Sequence, residues 1–129
     1  MGALLFVLLT ATTTCAQQWI ELKPIGTGPT PRNNASVIHD PITNRLVVFG
    51  GRSSAGDLND LFALDLNTLV WSELTPAAPL PDLRSTHNAV YDPAAHQMLV
   101  WSGRLGGVFY NDVWALDLAT DNWSKFALQ

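Results

Sequence analysis

The feature that most constrains this chain is an internal repeat with a period of 52 residues. The stretch NDLFALDL at residues 59–66 returns as NDVWALDL at residues 111–118. Overlaying residues 23–74 on residues 75–126 gives 17 identities in 52 positions, without insertion or deletion. A fixed period of about 50 residues with glycine and aromatic landmarks is typical of propeller blades.

Apolar runs and turn residues divide each unit into four predicted strands. They cover residues 35–39, 46–49, 61–66 and 71–74 in the first unit, and 88–91, 98–101, 113–118 and 123–126 in the second. The second strand of each unit is apolar throughout, as expected of a strand covered on both faces. Asp40-Pro41 and Asp92-Pro93 are expected to open tight turns, because Asp binds the turn backbone and Pro fixes φ. Each unit should therefore form one antiparallel blade.

Several landmarks recur at the same offsets in both units. An apolar strand leads into a glycine, an aromatic residue follows in the third strand, and an Asp-x-x-Thr-x-x-Trp pattern ends the unit. We expect the repeat to be held together by Gly51, Gly103, Trp71, Trp123, Asp65 and Asp117. This pattern resembles the kelch repeat over residues 19–126. The resemblance implies an all-β fold of kelch-type propeller blades.

The predicted organisation is two complete blades and one orphan strand. Residues 23–74 form the first blade, residues 75–126 form the second, and residues 17–22 match the outer strand of a preceding blade. Propellers have roughly four to eight blades, so the ring is incomplete. We interpret the chain as the N-terminal part of an exported member of the family. Self-association is the alternative, since three copies would supply six blades.

Residues 1–16 have the pattern of a secretory signal peptide. The apolar run at residues 3–9 is too short to span a bilayer, which takes about 20 residues, and small residues precede a cleavage site after Ala16. We expect a secreted or periplasmic protein, with a lipoprotein anchored through Cys15 as the alternative. The 113 residues after Ala16 contain no cysteine. Disulfides, thiolate metal sites and a Cys nucleophile are thereby excluded from the exported chain.

Charge and histidine placement narrow the function classes. Seven basic residues are scattered along a chain of net charge −4, so nucleic acid is not expected as a partner. His39, His87 and His96 match other residue types in the overlaid repeat and show no ligand spacing, so no metal or other cofactor is predicted. The kelch-type propellers that this pattern resembles also include enzymes, the galactose oxidases and the sialic-acid mutarotases. An enzyme whose catalytic residues lie on other blades stays open as an alternative.

The resemblance to kelch propellers, which bind ligands through loops on one face, implies a ligand-binding face here. In a four-strand meander, the crossings between blades and the loops between second and third strands lie on the same face. The candidate residues on that face are Arg32, Arg52, Arg84, Arg104, Phe109 and Tyr110. Residues 53–58 and 105–110 differ most between the units, and such loops often carry specificity. Alternatively, the arginines bind strand-end carbonyls or Asp60 and Asp112. The predicted function is a non-catalytic binding module for a protein or glycan.

Overall fold

The computed structural model describes residues 19–127, which form two four-stranded antiparallel sheets. The first sheet contains β1 (Ser36–Asp40), β2 (Arg45–Ser53), β3 (Gly56–Asp65) and β4 (Val70–Leu74), in that spatial order. The second contains β5 (Asn88–Asp92), β6 (Gln97–Trp101), β9 (Val113–Asp117) and β10 (Asn122–Lys125), again ordered along the chain. A separate hairpin pairs β7 (Arg104–Leu105) with β8 (Val108–Phe109). The predicted all-β fold and both four-stranded blades are confirmed.

Two predictions from the sequence concern residues that lie wholly or partly outside this range. The predicted signal peptide at residues 1–16 lies outside the described residues, so it stays a prediction. Of the orphan strand at residues 17–22, residues 19–22 are described; they are exposed and unpaired, with Trp19 97 % exposed. Its partner would be a blade that the described residues do not include, so the orphan strand stays a prediction.

Aspartates close the turns within each blade. Asp40 Oδ1 accepts the amide of Ile42 at 3.0 Å, and Asp92 Oδ1 accepts the amide of Ala94 at 2.9 Å, which confirms the two predicted Asp-Pro turns. The structural aspartates of the repeat act in the same way between the third and fourth strands: Asp65 accepts two backbone amides at 2.7 and 2.9 Å, and Asp117 accepts two at 2.8 and 3.0 Å. These backbone hydrogen bonds lower the pKa of both carboxyl groups.

The two blades differ most after their second strands. In the first blade, β2 and β3 continue as a long hairpin past an irregularity between Phe49 and Gly51. In the second blade, pairing stops at Trp101 and resumes as the short β7–β8 hairpin. Gly51 has φ +96°, and an added Cβ would lie 2.8 Å from the Asn33 carbonyl oxygen. Only glycine fits there, whereas Ser102 occupies the position equivalent to Gly50 with φ +63°.

The apolar core lies between the blades. The ring of Phe49 packs against that of Trp123 at 4.8 Å between centroids. Around this pair the first blade contributes Ile38, Val47 and Leu61, and the second contributes Met98, Val100, Trp114, Leu116 and Leu118. Trp123 is only 5 % exposed, in keeping with its predicted packing role. Its repeat equivalent Trp71 is half-buried, because no blade precedes it in the described residues.

Polar contacts also join the blades. Arg45 of β2 donates to the Leu118 carbonyl at 2.6 Å and to Asp121 at 2.8 Å, and it lies 3.3 Å from Asp40. Asp40, in turn, lies 3.0 Å from His96. The histidines do not repeat between the units, as the overlay showed. Two of them, His87 and His96, nevertheless lie at the contact between the two blades, which we call the joint.

The second joint histidine is His87, at the start of the second blade. It is 7 % exposed, and its Nε2 lies 2.8 Å from the Ser36 hydroxyl. Its ring packs edge-on against Phe49 at 5.2 Å. Burial, together with the charge of Arg84, lowers its pKa to about 4. This imidazole is therefore neutral at physiological pH.

Candidate functional site

The crossings before β1 and β5 meet the segments that follow β2 and β6, and we call this end of the blades the loop face. Asn33 and Arg52 exchange two backbone hydrogen bonds, of 3.0 and 2.8 Å. Ser85 and Arg104 make the equivalent pair in the second blade, both at 3.0 Å. These bridges place all four predicted arginines on the loop face.

Two of the four arginines are held inside the blades. Arg84 is fully buried, and it donates to the two carboxylate oxygens of Asp112 at 2.8 and 3.1 Å and to the Ser102 carbonyl at 3.1 Å. Arg32 makes the equivalent contacts, with Asp60 at 2.9 Å and with the Gly50 carbonyl at 3.0 Å. Both arginines thus have the contacts of the structural alternative. In this structure the Arg84 side chain has no surface to offer a ligand.

The Arg84–Asp112 pair sits in a larger polar and aromatic cluster. Hydrogen bonds from Arg84, and a further one from the Trp114 indole at 2.8 Å, lower the pKa of the Asp112 carboxyl to about 2 despite its burial. On the other side, the Arg84 guanidinium lies 4.4 Å from the centre of the Tyr110 ring. Burial raises the pKa of the Tyr110 hydroxyl. Tyr110 therefore covers Arg84 instead of projecting from the face.

The other two arginines are exposed. The Arg52 side chain is 51 % exposed and has only a long 3.4 Å contact with Asp57. Arg104 is also exposed, and it pairs across the short hairpin with Phe109. The Ser85 hydroxyl, the Gly106 amide and the two exposed arginines lower the pKa of Asp57. Asp57 is thus an anionic group that faces both arginines.

An apolar surface stands beside these charges. Phe109 is 77 % exposed and Val108 61 % exposed, both on β8. The Gly106 amide at the tip of this hairpin lies 3.4 Å from the Asp57 carboxylate, so the hairpin leans toward the first blade. Of the six predicted residues, the structure therefore exposes Arg52, Arg104 and Phe109 together. Their role in binding stays a prediction.

A shallow pocket of about 380 Å³ opens on the first blade's part of this face. Its lining consists of Pro31, Arg32, Asn33, Arg52, Ser53 and Ser54. Arg52 and the serine hydroxyls give it hydrogen-bond donors. It is therefore suited to an acidic or polar group.

The sequence did not single out Asp57 as the acid between the two arginines. Asp57 matches Phe109 in the overlaid repeat, so the repeat gave no signal for it.

Among residues 19–127, no cluster of three or more His, Cys, Asp and Glu is arranged to hold a metal ion. That same part of the chain also has no helix that is long and apolar enough to cross a membrane.

Comparison with known proteins agrees with the kelch-type blades. A family model described as the KLHDC2/KLHL20/DRC7 kelch-repeats domain matches residues 5–129. Acyl-CoA-binding domain-containing protein 4 of Arabidopsis thaliana is 36 % identical over 86 % of this chain, and Kelch domain-containing protein 2 of Bos taurus is 31 % identical over 85 % of it. The chain spans only 16 % and 27 % of these relatives. On the family match and the two four-stranded blades, this chain belongs to the kelch-repeat family.

Proposed function

We propose that this chain is a non-catalytic protein-binding module that contacts its partner through the loop face. The observation that carries the proposal is the exposure of two arginines and an aromatic ring, Arg52, Arg104 and Phe109, on one face of a packed β scaffold. Kelch domains generally mediate protein interactions, which supports a protein over other partners.

The chemistry of the face favours a particular kind of partner surface. A guanidinium offers a planar fork of donors that suits carboxylates. Exposed aromatic and arginine side chains are the residue types that most often contribute strongly to binding. We therefore expect the partner to present an acidic side chain beside an apolar one.

Arg32 and Arg84 have a supporting role in this proposal. Each binds a carboxylate and a strand-end carbonyl inside its own blade. They fix the crossing segments against the strands, and these segments carry the backbone bridges to Arg52 and Arg104. The exposed arginines are thus presented from a rigid base.

Selection of binding peptides tests the proposal. The full chain is used to select peptides from a displayed random library, and their affinities are then measured for the chain and for R52E/R104E. We expect the charge reversals to weaken selected peptides by about 30-fold or more, because central arginine and aromatic contacts contribute about 2 kcal/mol or more each. Phe109→Ala should weaken the same peptides by at least about 10-fold.

The matched control is Lys23→Glu. Lys23 is exposed and lies two residues before Ile25, which pairs with the outer strand β4 at a different edge of the blade. Its reversal should leave peptide affinity unchanged. The loop-face proposal fails if the selected peptides bind R52E/R104E as tightly as the original chain. A glycan array probed with the same variants tests a carbohydrate partner.

We also propose that the protein is exported, on the signal-peptide pattern of residues 1–16. Expression in a host with a secretory pathway, followed by N-terminal sequencing of the recovered chain, tests this. A mature chain that begins at Gln17 outside the cytosol is the expected result. Recovery of the chain only in the cytosol, with its first residues intact, would contradict export.

A further inference from the structure

The first blade contains an acceptor motif for N-linked glycans that the loop-face proposal does not use. Asn34-Ala35-Ser36 has the form Asn-x-Ser, in which x is not proline. This motif is read on chains that enter the secretory pathway, and the modified asparagine of a folded secreted protein lies in a surface loop. Asn34 lies in the crossing just before β1, and it is exposed. The fold therefore places the motif where an attached glycan can project into solvent.

The Asn34 side chain is free to carry a substituent, whereas its backbone is held in place. Among the described residues, its amide nitrogen makes one long hydrogen bond, 3.4 Å from Nδ2 to the neighbouring Asn33 Oδ1. The Asn34 carbonyl accepts the backbone amide of Thr86 at 3.1 Å, which ties the crossing to the second blade. A glycan on Nδ2 therefore displaces no contact between the blades.

The repeat shows that neighbouring blades do not cover this position. Asn34 is exposed although the second blade follows it. Its repeat equivalent, Thr86, is exposed although the first blade precedes it. A following blade leaves the position open in one unit and a preceding blade leaves it open in the other. The exposure of Asn34 is thus a property of the blade fold, and further blades should leave it unchanged.

Backbone geometry does not by itself account for an asparagine here. Asn34 has φ +54°, in the left-handed region that asparagine tolerates better than most residues. Thr86 adopts the same conformation with φ +56°, so the repeat does not require asparagine at this point. The second unit has Asn88 where the first has Ser36. The acceptor motif therefore belongs to the first blade and not to the framework of the repeat.

The third residue of the motif indicates when the modification must occur. In the folded chain the Ser36 hydroxyl lies 2.8 Å from His87 Nε2, and Ser36 is only 9 % exposed. The transferring enzyme has to reach this hydroxyl, because the residue at this place distinguishes an acceptor asparagine from any other. His87 lies 51 residues after Ser36, so the hydroxyl is free until the second blade has been made. Transfer therefore precedes the docking of the two blades.

We propose that Asn34 carries an N-linked oligosaccharide, attached as the chain enters the secretory pathway. The donor is an oligosaccharide joined through a diphosphate to a lipid. The Asn34 amide nitrogen forms a bond to C1 of the first sugar and gives up one proton. The bond from C1 to the diphosphate oxygen breaks, and its electron pair leaves with the lipid diphosphate. This proposal rests on the proposed export of the chain, and it goes beyond binding at the loop face.

A glycan on Asn34 lies at the β1 side of the loop face. The preceding residue, Asn33, lines the shallow pocket, and its backbone is hydrogen-bonded to that of Arg52. The sugar chain therefore borders the pocket and narrows the directions from which a partner of the loop face can approach.

Expression in a eukaryotic host, followed by peptide mass spectrometry, tests the proposal. The full chain is produced with its own residues 1–16 and, in parallel, with an established secretory leader in their place. Protein from the medium and from the microsomal fraction is treated with peptide-N-glycosidase in heavy-oxygen water, which converts a glycan-bearing asparagine into a labelled aspartate. We expect the label at Asn34 in both preparations, with a loss of apparent mass on treatment.

Variants separate the motif from the structure around it. Asn34→Asp removes the acceptor nitrogen and keeps a side chain that tolerates the left-handed conformation, so the glycan on this peptide should be lost. Ser36→Ala should also abolish the label at Asn34, whereas Ser36→Thr keeps the motif and should keep the label. Asn33→Asp changes the adjacent exposed asparagine outside the motif, and it should leave the label at Asn34 in place. Asn122→Asp removes the other motif of this form, at residues 122–124, and should likewise leave it in place.

The two leaders distinguish failure of the site from failure of export. An unlabelled Asn34 with either leader would overturn the glycan proposal and leave export standing. A label that appears only with the established leader would contradict export by residues 1–16, and with it the modification of the natural chain. A label at Asn34 that persists in Ser36→Ala would overturn the argument from the motif.

Discussion

Replacing Asp112 with Asn removes one charge from the buried Arg84–Asp112 pair and keeps the shape of the side chain. Arg84 is completely buried, and Asp112 is its only carboxylate partner among the ion pairs of the described residues. The amide can accept one of the two hydrogen bonds but cannot neutralise the guanidinium. A buried charge is thus left without compensation.

Two independent arguments give the size of the effect. Breaking a buried ion pair by removing one partner costs about 3–5 kcal/mol. The pKa of Asp112 is about 2 instead of 3.8, which corresponds to about 2 kcal/mol of preference for the ionised carboxyl in the folded chain. We therefore expect Asp112→Asn to lower the free energy of unfolding by about 3 kcal/mol.

Urea unfolding followed by tryptophan fluorescence measures the effect, and the repeat supplies the matched control. Asp60→Asn breaks the equivalent pair with Arg32, but Asp60 is 26 % exposed, against 9 % for Asp112. Water screens this pair better, so its loss should cost about 1 kcal/mol. The double variant R84M/D112N removes both charges and should recover much of the lost stability, as buried pairs replaced by apolar residues often do.

The pH dependence of the free energy of unfolding gives a further test. The pKa of Asp112 is lowered in the folded chain, so the stability that its ionised carboxyl contributes is present above pH 3.8 and is lost as the pH falls toward about 2. The reasoning is refuted if Asp112→Asn costs no more than Asp60→Asn at neutral pH. It is also refuted if the double variant is less stable than Asp112→Asn alone.

Two further predictions concern the joint and the loop face. His87 has a folded pKa of about 4 instead of 6.5, so the unfolded chain binds the proton first and about 3 kcal/mol of stability should be lost as the pH falls through that window. His87→Gln should abolish this slope in urea titrations at several pH values; an unchanged slope would assign it to another group. Gly103→Ala should cost about 1–3 kcal/mol, because φ is +96° and the new Cβ would lie 2.8 Å from the His87 Cβ. Gly107→Ala meets nothing within 4 Å and should leave the melting temperature nearly unchanged.

Blade architecture was predictable from the sequence because the repeat marks it twice. The uniformly apolar runs at residues 46–49 and 98–101 predicted strands covered on both faces, and they lie in β2 and β6. The Asp-Pro pairs predicted turns because their physics is local. The β7–β8 hairpin was not predictable in this way, since the repeat has no equivalent for it: the first blade runs on as one long hairpin.

The loop face was predictable in place but not in detail. Strand alternation put four arginines on one face, and the structure has them there. Which of them is exposed depends on the carboxylates opposite, Asp60 and Asp112 for Arg32 and Arg84. The same limit applies to the joint. His96 and Asp121 have no repeat equivalents of their own type, so an overlay of the units cannot reveal that they meet Asp40 and Arg45.

The charged contacts between the blades make their order specific. An apolar flank can be covered by almost any other apolar flank, so packing alone permits many neighbours. Asp40 and Arg45 pair with each other and also with His96 and Asp121 of the second blade. A different neighbour without His96 and Asp121 would lose these two contacts. The junction between the two described blades is therefore made specific by residues that the repeat does not share.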